Sequence, residues 1–321
     1  MNSGTLKTLG VAVVVLLGVW FLLNSSDEGS AVNKLFLPEL KSAINDIDEV
    51  SIRTASESFT VTRDGEKWVI AERDGYPADV GVLRETLIAL ADAKILETKT
   101  SKPEKYSVLG VDDPSSPDST AIEISVRGGD IDERIIVGKV AQSSYRYARP
   151  SDQEQSVMID QNPEIPASAG GWLESEILSI SADAIASITI VHADGEEIRV
   201  ARSDDGSDSF EVLNMPEGRE LSYPTVANGI GGSLADLTLE DVRPKSDEEP
   251  ATVAMFDTLE GQSITVSTYV INDEDWIGFD SSDEAISTLT EGWLFAIPEY
   301  KANLVQRRFE DILAPLEDSA E

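Results

Sequence analysis

The chain reads as an α+β protein: an N-terminal transmembrane helix followed by two tandem repeated units, each an antiparallel sheet with one or two covering helices. Three observations carry that reading. One uncharged apolar run stands near the start, two long stretches repeat the same motifs in the same order, and within each stretch period-two runs give way to a helical run. The length of 321 residues is about twice that of an ordinary domain, which agrees with a duplication.

The apolar run is Leu9 to Leu23, LGVAVVVLLGVWFLL. At 1.5 Å per residue it covers about 22 Å, and Thr5 to Ser26 extend it toward the roughly 30 Å of a hydrocarbon core. Leu9, Val14, Leu17 and Leu23 are its anchor residues, and Trp20 and Phe21 near the outer end suit the interfacial belt. Lys7 precedes the run while Asp27 and Glu28 follow it. The positive-inside rule then leaves residues 1–26 as a cytoplasmic tip and anchor. The rest is exported, which gives a single-pass inner-membrane protein with its bulk in the periplasm. The alternative is a cleaved signal peptide, with Gly29-Ser30-Ala31 as the small-residue site and Asp27 and Glu28 counting against it. No cysteine follows the run, so a lipoprotein is excluded. Residues 27–44 form a juxtamembrane segment.

The first unit, 45–181, opens with Ile47-Asp-Glu-Val50-Ser-Ile52, then Phe59-Thr-Val61, Trp68-Val-Ile70, Tyr76-Pro77 and Leu90-Ala91-Asp92. The second, 182–314, answers with Ile185-Ala-Ser-Ile188-Thr-Ile190, Ile198-Arg-Val200, Phe210-Glu-Val212, Tyr223-Pro224 and Leu234-Ala235-Asp236. The offset is 138 residues from Ile47 to Ile185 and 144 from Leu90 to Leu234. Val50, Ile52, Phe59, Val61, Trp68 and Ile70 alternate with polar residues, and Asp64-Gly65 lies between two such runs as a hairpin turn. Three short antiparallel strands therefore open the unit. Asp79 is the N-cap of a helix whose apolar positions are Val80, Leu83, Leu87 and Leu90. The matching helix carries Val226, Ile230, Leu234 and Leu237, but Gly229, Gly231 and Gly232 each weaken it by about 1 kcal/mol relative to Ala, so it should be shorter.

Further strands are expected at Ala121 to Val126 and Arg134 to Val137, and again at Ala251 to Phe256 and Ser263 to Ile271. Each copy then reaches a Gly-Trp-Leu, at Gly171-Trp172-Leu173 and Gly292-Trp293-Leu294. Lys102 to Thr120, with Pro103, Pro114 and Pro117, reads as a loop, and residues 315–321 as an acidic tail.

Composition removes much chemistry. With 25 Lys plus Arg against 60 Asp plus Glu the formal charge is −35, a surface that repels nucleic acid phosphates and anionic headgroups, so no nucleic acid partner is expected. Zero cysteines exclude thiolate nucleophiles, disulfides and Cys-based metal sites, and a single histidine excludes multi-His zinc sites. The charge also suits a salt-adapted host, where acidic surfaces stay soluble.

The candidate chemical residues each have a plain structural reading beside the functional one. His192 closes the strand Ile188 to His192, and no Gly-x-Ser-x-Gly elbow exists to give it a nucleophile, so a surface histidine at a hairpin end is expected. Asp204-Asp205-Gly206-Ser207-Asp208 and Asn272-Asp273-Glu274-Asp275 invite calcium but lack the ligand spacing of an EF-hand loop, and are read as solvated acidic loops. Asn228-Gly229-Ile230-Gly231-Gly232 lacks the third glycine of a dinucleotide cradle. No catalytic, cofactor or metal residue is assigned, and no cofactor is expected. A hydrolase built on a carboxylate pair stays open, since sequence spacing does not set the separation such a pair needs. Core packing is the reading for Trp68, Trp172 and Trp293. Trp276 has no such account, and Arg307-Arg308 stands as a positive spot on a C-terminal helix with Tyr300, Leu304, Phe309 and Ile312, so Trp276, Arg307 and Arg308 are the candidate partner contacts.

Leu35-Phe-Leu-Pro38, Asp64-Gly65 followed by Trp68, Pro77-Ala78-Asp79, Tyr106-x-x-Leu109-Gly110-Val111-x-x-Pro114, Val137-Gly138, Tyr147-x-Arg149 and Trp172-Leu173 together resemble a family of bacterial envelope proteins, the domain of unknown function four-three-four-zero. The resemblance covers most of residues 35–190. It implies an N-terminally anchored envelope protein, often encoded beside ABC transporter subunits of the gliding-motility type, and carries no activity to any residue. The expectation is a non-catalytic accessory or scaffold of an ABC-type transport complex, with the bilayer and transporter subunits as partners. The alternative is an envelope binding module for a glycan or small ligand in the cleft between the units, which a concave cluster of Trp and Tyr would favour and a filled interface would oppose.

Overall fold

The computed structural model describes residues 31–142, 144–204 and 209–315. The apolar run Leu9 to Leu23, residues 205–208 of the first acidic cluster and residues 316–321 lie outside the described residues. Among the described residues no helix is long and apolar enough to cross a membrane.

The first unit holds α1 (Pro38–Ala43), β1 (Glu49–Arg53), β2 (Ser58–Asp64), β3 (Lys67–Ile70), β4 (Tyr76–Pro77), α2 (Val80–Asp92), β5 (Ile95–Thr98), α3 (Tyr106–Leu109), β6 (Ile122–Gly128), β7 (Ile131–Gln142), β8 (Tyr145–Pro150) and β9 (Val157–Ile159). Its nine-stranded sheet runs β4-β3-β2-β1-β6-β7-β8-β9-β5. The three alternating runs form the expected meander, and Val50, Ile52, Phe59, Val61 and Ile70 are buried on one face. The Asp79 carboxylate accepts from the N–H groups of Gly81 (2.7 Å) and Val82 (3.1 Å), which caps α2. Leu83, Leu87 and Leu90 pack inward, whereas Val80, at the first turn of the same stripe, is exposed.

The second unit holds β10 (Glu176–Leu178), β11 (Ile185–His192), β12 (Glu197–Arg202), β13 (Phe210–Val212), α4 (Val226–Gly231), β14 (Leu237–Thr238), β15 (Asp241–Pro244), β16 (Thr252–Thr258), β17 (Ser263–Ile271), β18 (Glu274–Ser281), α5 (Glu284–Thr290), β19 (Trp293–Ala296), α6 (Glu299–Val305) and α7 (Phe309–Ile312). Its eight-stranded sheet runs β13-β12-β11-β16-β17-β18-β19-β15, which repeats the strand order of the first sheet without the β4 extension. As the glycines require, α4 is short: Leu234 lies beyond its end and Leu237 begins β14.

The repeat begins earlier than the alternating strands suggest. Leu35 bridges Lys94 at the start of β5, and Leu178 of β10 pairs with Leu237 of β14 in the corresponding place. The stretch from Asn33 to Leu37 is therefore part of the first unit, since Asn33 and Phe36 donate to the carbonyls of Ile95 and Ala93 at 2.7 Å each. Two of the expected correspondences give way to different ones. Asp79 N–H donates to the Trp172 carbonyl while Ser222 N–H donates to that of Ile312, so Ile312, not Trp293, answers Trp172. Likewise Tyr76 is buried on β4 whereas Tyr223 is exposed beyond the equivalent bridge at Leu221. Trp293 instead opens β19, the counterpart of β9.

Lys102 to Thr120 is not wholly loop. A 3-10 turn at Pro103–Lys105 and α3 lie on the outer face of the first sheet, where Tyr106 and Val111 pack against Ala121 and Ile136. Burial of those side chains outweighs the three prolines, which fall at the turns.

One continuous apolar core joins the units, from Phe36 and Phe59 through Trp172 to Phe256, Phe295 and Leu313. Each large side chain fully buried there contributes about 1.5–3 kcal/mol. The segment between the sheets fits closely: a Cβ on Gly170 would stand 1.9 Å from the Glu240 carbonyl oxygen, so only glycine passes there.

Candidate functional site

The cleft between the units, where a ligand was the alternative expectation, is filled. Tyr76 at the edge of the first sheet meets Trp293 edge-to-face with ring centroids 5.2 Å apart, and Phe295 at 6.1 Å. Beside them the Arg73 guanidinium donates to Asp241 Oδ2 and to Glu57 Oε1, both at 2.9 Å, and the other Glu57 oxygen accepts from the Ala169 N–H at 3.0 Å. These three side chains come from β15 of the second unit and from two turns of the first. Nothing in the sequence pairs them, because Arg73 and Asp241 lie in different units. The two carboxylates raise the Arg73 pKa further, and burial, with a smaller effect of Glu174, pushes the Tyr76 phenol up to about 12. The junction is a closed ion-pair and aromatic contact. It presents no concave aromatic wall.

The second candidate region is the C-terminal segment around Arg307 and Arg308. It does not form one helix: α6 ends at Val305, and the two arginines lie in the connection to α7. His192 is buried rather than at the surface, and it ties this connection to the sheet. Its Nδ1 lies 2.9 Å from Thr252 Oγ1 and its Nε2 3.0 Å from the Arg307 carbonyl oxygen, so Nε2 carries a proton to donate. The β11–β12 turn adds a second hold. Arg308 donates to Asp194 (2.8 Å) and Glu196 (2.6 Å), and Glu196 also accepts from the Phe309 N–H. The Asp194 carboxyl is held below the usual carboxylate range, first by the Glu196 N–H and then by Arg308. Arg308 is thus engaged within the chain, and Arg307 supplies its carbonyl to His192.

Trp276 is also packed within the chain rather than presented at the surface. It is 7% exposed, in a small outer cluster with Tyr269, Ile271 and Leu294, and the Arg243 guanidinium stands 5.4 Å from its ring. Its indole N–H has no hydrogen-bond partner. The turn before it, Asn272-Asp273, has φ of 56° and 65° at its two residues, which makes the acidic run a tight hairpin between β17 and β18. Gly231 of the glycine run lies against the Phe210 ring, and Asn228 Oδ1 accepts from the Phe210 N–H at 2.8 Å. That run packs a helix on a strand.

Among the described residues no group of His, Asp and Glu is placed to hold a metal ion. A hollow lined by Asp132, Glu133, Arg134, Ser151 and Asp152 brings three carboxylates together. Burial raises the Glu133 pKa, helped by Glu39, Asp152 and Asp132. No aromatic ring lines it on which a sugar would stack.

Compared with curated proteins and with solved structures, the chain matches none. A family model does match, from Trp68 in β3 to Ala254 in β16, and so spans the junction and the start of the second sheet. The chain belongs to the family described as domain of unknown function (DUF4340), whose model covers residues 68–254, more than half of its length.

Proposed function

We propose that the chain is a membrane-anchored exported protein that works without catalysis, as an accessory or scaffold component of an ABC-type transport complex. The observation that carries this reading is the filled junction: a continuous core and the Arg73–Glu57–Asp241 contact make two units one stiff body, which suits presenting surfaces to partners. The anchor rests on the uncharged run Leu9 to Leu23 and its flanking charges. The transporter link rests on what the family resemblance implies. A ligand-binding module working in the cleft is disfavoured by the aromatic and ionic contacts that occupy it.

Chemical cross-linking in native membranes, followed by affinity purification of the full-length protein and mass spectrometry, tests this directly. ABC transporter subunits should co-purify in near-equal amounts, and a variant lacking residues 9–23 should lose them. Recovery of the protein alone, or joined to cell-wall material, would overturn the reading.

A further inference from the structure

We propose that a lysine-bearing face of the first unit, formed by the end of β5 and the α3 turn, docks on the anionic lipid surface of the membrane that holds the chain. This rests on the anchored reading above. The chain carries 25 Lys plus Arg against 60 acids, yet from Lys94 to Lys105 four lysines (94, 99, 102 and 105) stand against only Glu97 and Glu104. Lys139 on β7 joins them, its Nζ donating to the Ser107 carbonyl at 3.0 Å. Lys99, Lys105, Val108 and Leu109 line a groove of about 430 Å³ with Glu97, Thr98 and Thr100, and Glu97 accepts from the Lys99 ammonium at 2.7 Å. Lys102 and Lys105 are exposed, and Val108 at the tip of α3 is 70% exposed, an apolar side chain with none of the described residues over it.

The position of the tether makes this face the one nearest the bilayer. The chain backs out of the fold antiparallel to β5, from Leu35 opposite Lys94 to Asn33 on Ile95, and so heads toward Thr98 and the groove. Residues 24–30 between the apolar run and Ala31 reach at most about 25 Å. Lys99 is about 13 Å along β5 from Ile95. A cluster of the opposite charge is placed away: Asp132 and Glu133 lie at the start of β7, about 20 Å from Lys139 on the same strand, and Asp152 lines the same hollow. With a screening length of about 8 Å at physiological salt, headgroups at the groove feel the five lysines, offset in part by Glu97 and Glu104, more than the acidic remainder. Lysine ammonium groups would sit among lipid phosphates, and Val108 would enter the interface between them. The repelled acidic surface then points outward, so the charge distribution sets which way the tethered body faces.

The full chain, which has no native cysteine, allows a single-site test. Val108→Cys carries an environment-sensitive fluorophore, Leu289→Cys on α5 serves as a remote exposed control, and the vesicles are phosphatidylcholine with or without phosphatidylglycerol and contain quencher-bearing lipids. The label at 108 should be quenched in phosphatidylglycerol vesicles and much less in phosphatidylcholine alone, the label at 289 in neither. Lys99→Gln, Lys102→Gln and Lys105→Gln together should abolish the difference. Flotation with both vesicle types but no quenching at 108, quenching that ignores lipid composition, or capture of 108 by a second copy in its place would overturn the docking alone. Failure to float with either vesicle would overturn the anchor, and the docking with it.

Discussion

His192 holds the C-terminal segment through both ring nitrogens, inside a core that leaves it 3% exposed. His192→Ala removes two hydrogen bonds and opens a cavity, so urea denaturation should show a loss of about 2–4 kcal/mol, and a loss below about 0.5 would contradict the clasp. Tyr76 makes a pH prediction. An unfolded tyrosine ionises near pH 10, while buried Tyr76 keeps its proton to about 12. Between those values the unfolded chain has released a proton that the native chain retains, so stability falls as pH rises. Tyr76→Phe should therefore unfold at a midpoint whose difference from the parent is constant below about pH 9 and shifts in the variant's favour above about pH 10. A constant difference throughout would mean the phenol is not perturbed. At this scale the sequence was least legible. His192 reads as a surface residue because what covers it, Arg307, comes from far along the chain, and Trp276 lacks an account because its cover combines the neighbouring Tyr269 and Ile271 with Leu294 and Arg243.

Strands were legible where alternation is clear, as at β1, β2 and the second half of β11, because one face is buried and the period is two. The segments that cap β5 and β14 were missed, since Asn33 to Leu37 and Glu176 to Leu178 are too short to show a period. Gly-Trp-Leu misled for a related reason: two tryptophans in like tripeptides occupy a 3-10 turn and a strand. The glycines of α4 separate propensity from packing. A Cβ on Gly231 would lie 2.3 Å from the Phe210 ring, whereas on Gly229 the nearest atom is the end of the Leu304 side chain at 3.1 Å. Gly231→Ala should destabilise by about 1–3 kcal/mol despite its helix preference. Gly229→Ala should stabilise by up to about 1 kcal/mol, because Leu304 can move aside. Thermal melts that rank the two variants the other way would show that α4 does not pack as described.

The whole molecule carries −35 charges, whose mutual repulsion opposes folding. Raising salt from about 0.01 to 1 M shortens the screening length from roughly 30 to 3 Å, so the melting temperature should climb over that range. A flat curve would remove both this argument and the salt-adaptation reading. The likeness of the two sheets' strand order agrees with the order of motifs, but whether the units stand apart was not legible, because Arg73, Tyr76, Asp241 and Trp293 show no pattern that pairs them. That they form one body is the claim on which the scaffold reading rests. The most direct test is equilibrium unfolding in urea, followed at the same time by tryptophan fluorescence and by a label placed in each unit of this cysteine-free chain. One coincident transition is expected, with Arg73→Ala lowering the midpoint at both labels together. Two separated transitions, or an Arg73→Ala variant that shifts one label alone, would contradict a shared core and return the cleft to consideration as a binding site.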